Sequence, residues 1–174
     1  MLKTLISTAA CTLGLLCSSA AAQETSKRAA QHKDWSVFVE NDPTECWAVT
    51  TPKETVNKRD GSVVKVRRSK IMLYVFNRPR DNVKGEVSFT GGYPFAKGLS
   101  IALDLDGVTY EMVTDGEWAW PPTPADDAKI ITAMKRGAKA VVTAQSERGT
   151  LTKDTFSLKG FTAAVKDAEK RCVD

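Results

Sequence analysis

Apolar and polar residues alternate in short runs along most of the chain beyond residue 34, and turn-forming residues separate the runs. In DWSVFVE, Trp35, Val37 and Val39 fall on one face of an extended segment, and Ser36, Phe38 and Glu40 on the other. ECWAVT, GEVSFT, AKAVVTAQS and TLTKDTFSL also read as strands. KIMLYVFN is apolar on both faces, which places it centrally in a sheet. In SIALDLDGVTYEMV, Asp106-Gly107 predicts a type I′ turn, because both of its central positions need positive φ. That turn sets Leu105 opposite Val108, Leu103 opposite Tyr110 and Ile101 opposite Met112, all on one face. Asp60-Gly61 predicts a second turn between the extended arms of ETVNKRDGSVVKVRR. Strands at this spacing predict a mainly β fold, an antiparallel β-sandwich of short strands.

One helix interrupts the strands and a shorter one follows them. In TPADDAKIITAMKRG, Thr123 is placed to cap, Pro124 suits the first helical position, and Asp126 lies three residues after the cap. Ile130, Ile131 and Met134 form its apolar stripe. Lys135 and Arg136 sit at the negative end of the dipole, and Gly137 is expected to end the helix in αL. In FTAAVKDAEKRC, helical spacing puts Phe161, Val165, Ala168 and Cys172 on one inward face.

The first 22 residues do not fit this pattern. Lys3, the apolar stretch LISTAACTLGLLC and the small residues SSAAA form the layout of a secretory signal peptide, cleaved after Ala22. A lipoprotein signal is the rival reading, since Cys17 follows LGLL, but the residue before a lipidated cysteine should be small and Leu16 is not. The polar stretch over 23–33 lacks periodicity and reads as a flexible lead-in to a single domain over 34–174. Export leaves Cys46 and Cys172 as the only cysteines, an even number in an oxidising compartment, so they are expected to pair. Two distant cysteines and one histidine, His32, do not make a zinc set, and no metal or cofactor is expected.

Charge narrows the function little. The chain carries 25 basic and 21 acidic residues, a mild excess that does not call for nucleic acid. Ten of the basic residues and only three of the acidic ones lie between Lys53 and Lys84. Lys65 and Arg67 alternate there with Val64 and Val66, so the two cations share one strand face while the valines turn inward. Arg68 and Lys70 fall in the phase of the valines, so the strand is expected to bend or leave the sheet there. If the cations share a surface, it suits an anionic glycan, lipopolysaccharide or a membrane surface.

Three other stretches raise the question of chemistry. AQSERGT places Ser146, Glu147 and Arg148 beside Gly149. A nucleophilic serine needs a base, and the single histidine sits in the lead-in. Ser146 lies in neither a G-x-S-x-G elbow nor an S-x-x-K motif. A three-residue hairpin loop with Gly149 in αL is the better reading. The loop begun by DLDG lacks the sixth-position glycine and the twelfth-position glutamate of a calcium loop. In DGEWAWPP, Trp118 and Trp120 share one face beside Asp115 and Glu117, as a sugar-binding face would have them. Packing of both tryptophans on the core, where strand passes to helix, is the preferred reading.

The ordered series DW, PTECWAV, VRR, GEVSFTGGYPF, TDGEWAWP, AMKRGAKAVVTAQSERGT, DTFSLKGF and a terminal cysteine resembles the invasion-associated locus B family, small exported proteins of alphaproteobacteria. The resemblance runs from about Asp34 to Cys172. It implies a periplasmic or outer-membrane-associated β-sandwich, linked in some pathogens to host-cell entry, with Cys46 and Cys172 matching the family's cysteine pair. It carries no catalytic residues. The expected function is therefore that of a non-enzymatic envelope protein binding an envelope or host-surface partner. A carbohydrate-binding module using Trp118 and Trp120 is the alternative, and a hydrolase the weakest reading.

Overall fold

The computed structural model describes residues 28–42 and 44–173. Twelve strands and two helices follow in order: β1 (Arg28–His32), β2 (Trp35–Asn41), β3 (Thr44–Thr50), β4 (Glu54–Arg59), β5 (Ser62–Val63), β6 (Met72–Arg78), β7 (Val83–Thr90), β8 (Ile101–Leu105), β9 (Val108–Asp115), β10 (Trp118–Trp120), α1 (Pro124–Arg136), β11 (Lys139–Gln145), β12 (Leu151–Ser157) and α2 (Phe161–Arg171). Every pairing is antiparallel, in the order β1-β2-β3-β6-β7-β10-β9-β8-β11-β12-β4-β5. The mainly β antiparallel fold expected from the alternation is present.

Its layers are parts of one continuous sheet, joined through β9. The first five residues of β9 pair with β8, and Val113, Thr114 and Asp115 pair with β10. The two halves fold over one shared core. Phe89 on β7 meets Phe156 on β12 edge-on, 6.1 Å between centroids, and the indole N–H of Trp35 on β2 donates to the Ser157 carbonyl at 3.0 Å. Trp35, Val37 and Leu103 point inward in the predicted phase, and Ala48, Leu73, Val75, Val87, Phe89, Ala140 and Val142 complete the inward faces. The Asp106-Gly107 hairpin has the predicted register, with positive φ at both turn residues. Val108 nevertheless ends up exposed, at the tip of the hairpin.

The helices form where expected. Thr123 accepts the Asp126 N–H at 3.3 Å, and Ile130 and Met134 are buried. Gly137 departs from its predicted role. Its φ is −81°, so it is not an αL cap. A Cβ there would press on two side-chain ends, lying 2.9 Å from Asp106 Oδ2 and 3.0 Å from Leu158 Cδ1. On α2, Phe161, Ala164, Val165 and Ala168 are buried, and Cys172 caps the end and is joined to Cys46 on β3, with the Cα atoms 5.5 Å apart.

Two expectations are corrected. The lead-in is not flexible from Arg28 onward: β1 adds to the free edge of β2, and His32 Nε2 lies 2.9 Å from Asp167 Oδ2 on α2. Edge pairing draws on the backbone groups of β2, which leave no periodicity in the sequence of β1. Residues 23–27 and the signal peptide expected over 1–22 lie outside the described residues. The tryptophans of β10 do not pack on the core either. Ala119 takes the inward place, fully buried opposite Phe89, and Trp118 and Trp120 point outward, 42% and 37% exposed. With Ala119 inward, the alternation turns both indoles out.

Candidate functional site

Three stretches of chain meet at a cleft of about 530 Å3: Arg59 at the end of β4, the irregular run Val66–Arg68, and the β11–β12 turn from Ser146 to Thr150. The floor is fixed. Arg68 donates to Asp154 through both terminal nitrogens, Nη1 to Oδ1 at 2.8 Å and Nη2 to Oδ2 at 2.6 Å. Its Nε donates to the Gly91 carbonyl at 2.8 Å, and Tyr93 lies against the guanidinium with its ring centre 4.9 Å away. Side-chain exposure is 5% for Arg68 and zero for Asp154. The Tyr93 hydroxyl bonds Thr152, and burial pushes its pKa upward, so the phenol stays neutral at physiological pH.

This pair explains the charge in the valine phase. Only Ser62 and Val63 continue the ladder beyond the Asp60-Gly61 turn, yet the alternation persists after the chain leaves it. Val64 and Val66 are half-buried, Lys65 and Arg67 are exposed, and Arg68 turns inward because a buried carboxylate waits for it. Asp154 sits between the buried Thr152 and Phe156 on β12. A charge at an inward strand position was the available signal for it, and the sequence reading passed over it.

The rim carries guanidinium groups with capacity to spare. Arg59 Nη2 donates to Thr150 Oγ1 at 2.6 Å, while Arg67 and Arg148 enter no ion pair among the described residues. Glu117 and Glu147 are the carboxylates of the lining. With Arg68 neutralised by Asp154, three guanidinium groups face two carboxylates. That mixture suits a polyhydroxylated ligand bearing a negative charge better than a bare polyanion.

Of the residues singled out in the sequence, Arg67, Arg68, Glu117, Ser146, Glu147 and Arg148 line this cleft. Lys65 keeps the exposed phase of Arg67 but is not part of the lining. Trp118 lies next door, in a shallower groove with Ser69, Lys70, Tyr74, Thr90 and Glu117. It leans on Tyr74 at 5.6 Å and begins a row of rings across the outer sheet face through Phe76, Trp47 and Phe38. Trp120 lines neither recess. Cys46 and Cys172 are joined away from the cleft, by α2.

The model of the invasion associated locus B (IalB) protein family matches residues 35–169. The chain belongs to the IalB family. No curated protein and no solved structure matches it significantly. The IalB match takes in Cys46 and every residue of the cleft, and ends short of Cys172.

Within this IalB domain the serine of AQSERGT is a turn residue. Gly149 N–H donates to the Ser146 carbonyl at 2.8 Å, Ser146 and Thr150 are bonded through their backbones, and Ser146 Oγ accepts the Thr150 N–H at 3.1 Å. The one histidine is engaged with Asp167, on elements that do not line the cleft. Gly149 has φ of +76° and open space around its Cβ position. Gly149→Val is therefore expected to lower stability by about 1–3 kcal/mol through backbone strain alone. Ser146→Ala, which loses one local hydrogen bond, should cost about 1 kcal/mol. Urea denaturation measures both. A functional loss from Ser146→Ala in a stably folded protein would restore the nucleophile reading.

Proposed function

We propose that this IalB-family chain is exported by the leader over residues 1–22 and acts in the cell envelope by binding, without catalysis. The proposed partner is an anionic surface glycan such as lipopolysaccharide, with host-surface glycans in reach if the protein is displayed or released. The convergence of Arg59, Arg67 and Arg148 on a preformed cleft carries this reading. A guanidinium offers carboxylate and phosphate groups a planar, bidentate fork, and a floor locked by Arg68 and Asp154 spares the site the cost of ordering itself on binding. Support for binding without catalysis comes from Ser146 and His32, each of which is held by a structural partner.

Attraction of this kind is screened over about 8–10 Å at physiological ionic strength. Retention of the leader-free protein on a lipopolysaccharide-coated surface should therefore fall steeply between low and physiological salt. Lys65→Glu with Arg67→Glu should abolish it while leaving the circular dichroism spectrum and melting temperature unchanged. Absence of salt-sensitive retention at low ionic strength rules the reading out. The second reading, a module for neutral carbohydrate using Trp118 and Trp120, is favoured by the outward exposure of both indoles.

A further inference from the structure

The arginine cleft and the tryptophan groove are two ends of one recess. The run Val66–Lys70 passes from one to the other, with Val66, Arg67 and Arg68 lining the cleft and Ser69 and Lys70 lining the groove. Glu117 lines both, and Trp118 follows it in the chain. Ser69 N–H donates to the Gly92 carbonyl at 3.0 Å, which ties this run to the cleft wall. From Arg67 to Lys70 an extended backbone reaches at most about 10 Å, the length of a disaccharide unit.

We infer that the recess binds an acidic oligosaccharide across both ends, with a carboxylate-bearing sugar in the cleft and the next ring stacked on Trp118. The rings of the outer row differ in what they present. Phe38 and Trp47 stack on each other at 12° between planes, and Tyr74 and Phe76 at 14°, so these rings cover one another's faces. Trp118 stands at the end of the row, inclined 43° to Tyr74 and 42% exposed, and its outer face is open to the apolar C–H face of a pyranose. Lys70 and Glu117 flank that face with a donor and an acceptor for hydroxyls. The two-part site rests on the anion reading of the cleft, and its test separates the two.

The probes are tetragalacturonate, monomeric galacturonate and uncharged maltotetraose, each titrated calorimetrically into the leader-free protein at low salt. Tetragalacturonate should bind about tenfold more tightly than the monomer. Trp118→Ala should remove that advantage and leave monomer affinity and its salt dependence intact. Trp120→Ala, at an indole that lines neither recess, should change nothing, and Arg67→Glu should remove binding of both acids. Equal affinity for tetramer and monomer, or an unaffected Trp118→Ala variant, overturns the two-part site and leaves the anion reading standing. Maltotetraose binding as well as tetragalacturonate overturns the link between the two ends. Failure of both acids to bind at low salt overturns the anion reading itself.

Discussion

Arg68→Met is expected to lower the unfolding free energy by about 3–5 kcal/mol, the range for removing one partner of a buried ion pair. Asp154 has no exposure at all, so its carboxylate would be left in the interior without a counter-charge. The carbonyl of Gly91 and the side chain of Asn57 would lose donors as well. The double variant Arg68→Met with Asp154→Leu should recover much of the loss, because it takes both charges out of the core and leaves apolar groups of comparable bulk. Chemical denaturation of the two single variants and the double variant measures the coupling. A single variant that costs less than about 1 kcal/mol, the upper range for an exposed pair, would show the pair to be solvated. The cleft should suffer with the pair, since Arg68 lines it and its bond to the Gly91 carbonyl holds the neighbouring Gly92 and Tyr93 of the wall.

This pair also shows what the sequence could and could not disclose. Alternation predicted the inward faces of β2 and β8 because each apolar residue there answers to its own strand's phase. Asp106-Gly107 fixed a register since two positive φ values leave few alternatives. Arg68 and Asp154 break their local patterns, and each breakage is explained only by the other, 86 residues away. A single strand's periodicity records which way a residue points, and nothing about which distant charge it meets. The strand β1 escaped detection for a related reason: its partner, and not its composition, makes it a strand. On β10 the phase of Trp118 and Trp120 was legible, but the face that pointed inward was decided by Ala119 fitting against Phe89. The cleft is the least legible feature, because β4, the run after β5 and the β11–β12 turn are brought together by the pairing of β4 with the distant β12.

Reduction of the Cys46–Cys172 bond is expected to lower stability by on the order of 4–5 kcal/mol in the chain-entropy model, given a sequence separation of 126 residues. The effect arises mainly in the unfolded chain, where the bond holds the residues around Cys172 near those of β3. In the folded state α2 keeps its own attachment. Phe161, Ala164, Val165 and Ala168 remain buried, and Phe161 meets Trp35 edge-on at 4.9 Å between centroids. Burial of these four side chains does not depend on the sulfur bridge, so the helix should stay docked after reduction. Cys172→Ser and the double variant with Cys46→Ala should therefore fold to the same structure and unfold at lower urea concentration. Amide exchange in α2 should slow and quicken together with that of β3, as expected if the helix opens only with the whole domain. The unreduced protein without residues 1–22 should show no free thiol when unfolded, and two titratable thiols per chain would exclude the bond. Selective loss of protection in α2 upon reduction would mean that the bridge, and not the apolar face, holds the helix in place.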